Sequence, residues 1–141
     1  ARGLALVKDF EGCKLNPYIC PAGVPTVGFG STGPHVKMGK ALTQAEADAL
    51  LLHDLDRFEV GVARMVGDSP TTEDQFSAFV SLAFNIGLSA FERSTVLRRH
   101  NQKNYVGASH AFLMWVRGGG RVLPGLTRRR AAEARLYEGK P

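Results

Sequence analysis

Two cysteines in 141 residues are too few for the disulfide framework of a small secreted scaffold. They stand at positions 13 and 20, and Cys-x6-Cys without a second Cys or His pair is a poor zinc pattern. The four histidines, His35, His53, His100 and His110, fall into no H-x-x-x-H spacing, so no metal site is expected. No Gly-x-x-x-x-Gly-Lys-Ser/Thr loop occurs, no Gly-x-Gly-x-x-Gly is expected to follow a strand, and neither nucleotide use nor any cofactor is expected. No uninterrupted apolar run approaches the roughly 20 residues of a membrane span. Repeats and low-complexity tracts are missing too.

What is present describes one ordinary globular domain. Hydrophobic residues make up 44% and charged residues 22%, over a length that buries a core without cross-links. The chain opens on Ala1 rather than Met, which leads us to expect a processed start with any signal or anchor segment removed. The net charge of +5 is unevenly placed. Residues 1–116 hold 11 basic and 11 acidic side chains, whereas residues 117–141 hold seven basic against two acidic. A basic end suits a polyanionic partner such as an anionic cell envelope. The competing reading is a solvated helix face with Arg129 and Glu133 paired at i, i+4.

Periodicity and punctuation order the chain. Arg2 to Glu11 reads as a helix with Leu4, Val7 and Glu11 on one face, ended by Gly12. Residues 14 to about 36, rich in Gly and Pro, read as a small antiparallel sheet. Thr43-x-x-Glu46 is a capping box opening a helix through about residue 65, with Leu51, Leu55, Phe58 and Val62 facing a core. Thr72-x-x-Gln75 opens another, ended by Gly87. Shorter helices are expected near 94–101 and 104–116. Gly118-Gly119-Gly120 reads as a joint, a hinge or a plain loop, and Pro124 starts a last helix to about Tyr137. One helix, a sheet, then many helices imply an α+β fold.

The chemistry concentrates in EGCKLNPYICPAGVPTVGFG. Glu11 at a helix end, on the apolar side, would have its ionisation opposed by desolvation and by the negative end of the helix dipole. A carboxyl kept protonated near neutral pH is what a general acid requires. Pro21-Ala22-Gly23 reads as a turn between Tyr18-Ile19-Cys20 and Thr26-Val27-Gly28-Phe29. A turn centred on Gly23 sets Cys20 opposite Thr26, on one face of the hairpin. An acid, a thiol and a hydroxyl would then meet. The plainer reading is a solvated glutamate beside a structural hairpin with a buried cysteine.

Glu11, Cys20 and Thr26, nine and six residues apart, carry the pattern Glu, eight residues, Asp or Cys, five residues, Thr. In this the chain resembles the phage-type lysozymes, the endolysins similar to the lysozyme of phage T4. Gln75 to Gly87 resembles the family's central helix; Ser94-Thr95-Val96-Leu97-Arg98, Trp115 and the ending Gly125 to Tyr137 fit as well, so the resemblance covers nearly the whole chain. It implies a lysozyme-like α+β fold. A small antiparallel sheet lobe (about 12–42) and a larger helical lobe (about 60–141, with helix 1–11) would be joined by a long helix, with a cleft between them. It implies an endolysin, a muramidase that hydrolyses the β-1,4 bond between N-acetylmuramic acid and N-acetylglucosamine of peptidoglycan. Glu11 would protonate the leaving oxygen, Thr26 would hold the attacking water, and Cys20 would orient that water and stabilise charge on the sugar ring.

Two departures stand out. The commoner family residue at position 20 is Asp, and a free thiol with a pKa of about 8.5 is neutral at pH 7. Cys20 is therefore either a thiolate base or a positioner of water. The family often carries His where this chain has Ser31; Ser31 and Thr32 are candidate cleft residues, and His35 lies near the sheet. Cys13 and Cys20 also resemble the arrangement in signal-anchor-release endolysins, which a disulfide holds inactive until release from the membrane. The resemblance thus implies a regulatory Cys13–Cys20 disulfide, action in the host periplasm at the cell wall, and a membrane link only through an N-terminal anchor absent from this chain. It further implies a monomer that binds peptidoglycan glycan strands and no nucleic acid. Alternatives are a thiol-dependent wall peptidase with Cys20 as nucleophile, and a non-catalytic basic module binding wall or nucleic acid.

Overall fold

The structure is a computed structural model that describes residues 2–20 and 23–140. Among these, seven α-helices and two small antiparallel sheets make the expected α+β architecture. Two compact units are distinguished, Lys8–Arg57 and Phe58–Pro141 with Ala1–Val7. The division falls within helices α1 (Arg2–Glu11) and α2 (Gln44–Val66).

In the first unit a three-stranded sheet runs β1 (Lys14–Ile19), β2 (Pro25–Gly28), β3 (Ser31–Thr32), with β2 central. Lys14 pairs with Gly28 and Tyr18 with Thr26, so four steps along β1 match two along β2. The excess bulges out around Asn16 and Pro17, where proline has no N–H to give a ladder. Val27, Phe29, Ala47, Leu51 and Leu55 are buried. Gly28 adopts φ +67°, a left-handed conformation that favours glycine, and a side chain there would meet Ala47 at ordinary contact distance. The capping box is formed as expected: Thr43 N–H donates to Glu46 Oε1 (2.9 Å) and Glu46 N–H to Thr43 Oγ1 (3.1 Å).

In the second unit, Phe58, Val62 and Val66 of α2 are buried, which extends the apolar stripe read from the sequence. Helix α3 (Glu73–Ile86) has its own Thr72/Gln75 capping box and buries Ala78 to Ala83 without a break. Phe79 is the hub of this core. Its ring centroid lies 5.3 Å from that of Phe91, 5.5 Å from Tyr137 and 4.8 Å from His100. Around it pack α4 (Leu88–Glu92), α5 (Thr95–Asn101), α6 (Tyr105–Ala111) and α7 (Pro124–Tyr137).

Three expectations need correction here. The helix read over 104–116 ends at Ala111, and Phe112–Met114 form a 3-10 turn with Phe112 fully buried. The glycine joint is neither hinge nor plain loop. Gly119 and Gly120, at φ +60° and +82°, connect β4 (Arg117–Gly118) to β5 (Arg121–Val122) as the two-residue turn of a hairpin. Finally, Arg129 and Glu133 do not form a solvated face: they and Arg130 are buried. Glu133 takes Arg130 Nε at 2.7 Å and Arg129 Nε at 3.2 Å, and Arg129 also donates to the Ser81 carbonyl of α3.

Candidate active site

Glu11 is the last residue of α1. The next residue, Gly12, adopts φ +67° and its N–H bonds back to the Lys8 carbonyl at 3.2 Å, which stops the helix there. Glu11 is half-buried. Its Oε1 lies 3.6 Å from where a side chain on Gly30 would begin, and Gly30 has φ +87°. One helical turn earlier, the Lys8 ammonium sits 5.7 Å from the centroid of the Phe29 ring. The end of α1 therefore rests on the Gly28-Phe29-Gly30 turn between β2 and β3. That glycine-rich run, continuing to Gly33, has the spacing of a dinucleotide loop. It joins two antiparallel strands, however, and no helix N-terminus follows to face a phosphate.

The hairpin register differs from the expected one. Of the predicted turn, Pro21 and Ala22 lie outside the described residues. Cys20 N–H donates to the Val24 carbonyl (3.0 Å), its carbonyl accepts from Gly23 N–H (2.8 Å), and Gly23 has φ +80°. Cys20 is bonded to Val24, two residues short of Thr26. Thr26 thus faces Tyr18, not Cys20. Period-two alternation still carries the Tyr18 side of the strand to Cys20. Cys20 and Thr26 become diagonal neighbours, about 7–8 Å apart rather than in direct opposition.

Thr26 is buried at 3% exposure, and its hydroxyl donates to the Val24 carbonyl at 2.9 Å. With its one proton committed, the oxygen can only accept from any further partner. Ser31 is buried on β3 opposite Val27, and its hydroxyl is bonded to His35 Nε2 at 2.8 Å; Thr32 is exposed and pairs with Thr26. His53 is exposed on α2. Cys13 and Cys20 are not joined in a disulfide, and Gln44 Nε2 lies 3.9 Å from the Cys13 sulfur. They flank the two ends of β1. At about 3.3 Å per strand residue, even with the bulge, this holds them roughly 15–20 Å apart. A disulfide needs Cα atoms within about 7 Å. The Cys13–Cys20 bond expected from the resemblance is not formed in this structure, and forming it would require β1 to leave the sheet.

Glu11, Cys20, Thr26, Ser31 and Thr32 all belong to the Lys8–Arg57 unit. Together they offer a carboxyl, a thiol and hydroxyls whose hydrogen-bonding directions are already partly fixed. A cavity of about 410 Å³ lies in the other unit, lined by Tyr105, Val106, Ser109, Tyr137 and Glu138 among others, and holds none of the expected site residues. There the Ser109 hydroxyl donates to Glu138 at 2.6 Å and holds that carboxyl below its ordinary range. The sequence reading did not find the Ser31–His35 pair. Its only trace was the i, i+4 spacing across a turn with glycine at position 33.

Comparison with known proteins gives the same direction. The Phage lysozyme family matches residues 8–133. An endolysin of Acyrthosiphon pisum secondary endosymbiont phage 1 is 40% identical over 141 residues, which covers 97% of this chain and 95% of that one. A SAR-endolysin of Bacteriophage PS119 is 38% identical over 128 residues, covering 87% and 73%. Among solved structures, the muramidase domain of SpmX from Asticaccaulis excentricus has a TM-score of 0.89 at 38% identity, covering 96% and 94%. With a family match over most of its length and a full-length relative at this identity, the chain belongs to the phage lysozyme family.

Proposed function

We propose that this phage lysozyme cuts the β-1,4 bond between N-acetylmuramic acid and N-acetylglucosamine in peptidoglycan, with Glu11 as proton donor to the leaving oxygen. As a member of the family it is a glycoside hydrolase of the bacterial wall. The observation that carries the assignment of Glu11 is its placement. A half-buried carboxyl ends a helix against the β2–β3 turn, in the same compact unit as Thr26 and Cys20.

Thr26 supports a role as the holder of the attacking water. Its own proton is donated to the Val24 carbonyl, so it would accept a hydrogen bond from the water and leave a water lone pair directed outward. The diagonal offset of Cys20 leaves room for a water molecule between thiol and hydroxyl. Cys20 then orients that water, as thiol or thiolate, and its sulfur faces the positive charge that builds on the sugar ring. Of the two β3 candidates beside the same turn, exposed Thr32 serves the substrate directly, and buried Ser31 supports the turn. The enzyme acts as a monomer on glycan strands in the host periplasm, reached through an exported or membrane-tethered precursor.

A redox lock is retained in altered form. Thiol–disulfide exchange with a periplasmic disulfide oxidant, which is reduced to its dithiol as Cys13 and Cys20 lose their two thiol hydrogens and bond, would require β1 to leave the sheet. The cross-linked chain would lose both its thiol at position 20 and the hairpin that presents Thr26. Thiol titration of active and inactive preparations tests this: two free thiols in both would remove the lock.

Clearing of permeabilised Gram-negative cells tests the main reading, with products identified by mass spectrometry. New reducing sugar ends are expected. Glu11→Gln should lower the rate about 100- to 10,000-fold, the usual contribution of a general acid. Cys20→Asp should keep or raise activity and remove any dependence on reductant. New free amines without reducing ends would instead identify a thiol-dependent peptidase.

A further inference from the structure

We propose that His35 is a positioning residue of this hydrolase: by holding Ser31 it fixes the turn on which the Glu11 carboxyl rests. The inference depends on Glu11 being the proton donor.

The turn in question, Gly28-Phe29-Gly30, hangs between two anchors of unequal strength. On one side is Val27, 2% exposed, in the central strand β2. On the other is Ser31 in β3, an edge strand of only two residues whose ladder consists of Thr26–Thr32 and Val27–Ser31. So short an edge strand opens readily by itself. Phe29 and Gly30, between these anchors, carry the contacts to α1: the Lys8 ammonium over the Phe29 ring, and the Glu11 Oε1 beside Gly30. Any shift of the Ser31 arm is passed to Glu11 through one residue.

The Ser31–His35 bond reinforces the weak anchor. Ser31 is 4% exposed, and a hydroxyl so buried is costly to leave without a partner. Its partner is the imidazole of His35, which is otherwise exposed. The chain turns back to deliver that ring, with Val36 N–H on the Gly33 carbonyl at 3.1 Å. Gly33 sits at φ +127°, and a side chain on it would begin 3.2 Å from both Cε1 and Nδ1 of His35. The glycine thus leaves the space that the ring needs to reach Ser31. An imidazole is thus brought to Ser31 from position 35. A displacement of a catalytic group by 1 Å costs up to about 100-fold in rate, so loosening this arm is expected to cost roughly tenfold.

Steady-state kinetics on a defined peptidoglycan oligomer test the proposal, with the parent, His35→Ala, His35→Gln, Ser31→Ala and the Ser31→Ala/His35→Ala pair. His35→Ala and Ser31→Ala should each lower kcat roughly tenfold while KM changes less than about twofold. The pair should be no worse than either single variant, because both remove one bond. His35→Gln, which keeps a hydrogen-bonding group at similar reach, should recover most of the loss. Melting midpoints should fall by no more than the several degrees that one unpaired buried hydroxyl costs, and no further in the pair than in either single variant. Parental kcat in His35→Ala, losses that multiply in the pair, or a fall in melting midpoint of more than about 10 °C would each overturn the role. A parent that makes no reducing ends would strike at the assignment of Glu11 itself, a result distinct from these.

Discussion

His100 shows what one buried ring does to pH dependence. It is 1% exposed, bonded through Nδ1 to the Tyr137 hydroxyl at 2.7 Å and through Nε2 to Thr71 Oγ1 at 2.9 Å, and set edge-on to Phe79. Burial pushes its pKa below the ordinary histidine value, partly offset by a hydrogen bond to the Pro70 backbone carbonyl. Tyr137 is pushed up by burial and stays neutral, so the pair is uncharged. The folded chain therefore binds fewer protons here than the unfolded one between the lowered pKa and about 6.5. Stability from this site is complete above about pH 6.5 and falls as pH drops through that window. Thermal melts of the parent should decline below pH 6.5, whereas His100→Gln should start lower and show a flatter profile there. Neither the partners of His100 nor the Ser31–His35 bond was legible in the sequence. Thr71 and Tyr137 stand 29 and 37 residues from His100, and His35 reaches Ser31 only because the chain reverses at Gly33. Glu11 was legible as a helix end because Gly12 follows it directly.

At the scale of elements, local chemistry set what could be read. Both capping boxes were recognisable because their two hydrogen bonds lie within four residues. The apolar stripe of α2 was recognisable for the same kind of reason, a fixed spacing. The β1–β2 register was not, because it turns on whether Cys20 meets Val24 or Thr26 across the turn. The β4–β5 hairpin was missed because two-residue strands carry too little alternation to be seen. Least visible was the meaning of the arginines in α7. Spacing offered an exposed i, i+4 pair, yet Ser81, 52 residues before Glu133, completes a buried cluster that ties α7 to α3. Glu133→Gln would leave two buried guanidinium groups without their carboxylate, and is expected to cost about 3–5 kcal/mol in denaturant unfolding. A cost near that of an exposed pair, below about 1 kcal/mol, would contradict the buried arrangement.

For the molecule as a whole, charge placement argues how it meets its substrate. From Arg93 to Ala132 the chain carries nine basic residues and no Asp or Glu. Arg129 and Arg130 are consumed by Glu133, and Arg99 donates to the Gly107 carbonyl. Arg93, Arg98, Lys103, Arg117, Arg121 and Arg128 remain exposed. The arginines of the basic C-terminal end thus divide: Arg129 and Arg130 are buried and structural, and the exposed ones give the Phe58–Pro141 unit a positive surface. Attraction of such exposed charges to a wall rich in carboxylates acts over about 10 Å at 0.1 M salt and shrinks as salt rises. Catalysis would obscure this, so the measurement belongs to the Glu11→Gln variant on intact peptidoglycan sacculi. Its co-sedimentation should fall steeply between about 0.05 M and about 0.5 M salt. Reversing Arg117 and Arg121 to glutamate should weaken binding at low salt and flatten that dependence, while leaving the melting midpoint nearly unchanged because both side chains are exposed. Binding that ignores salt would mean that the glycan itself, rather than its charged substituents, holds the enzyme to the wall.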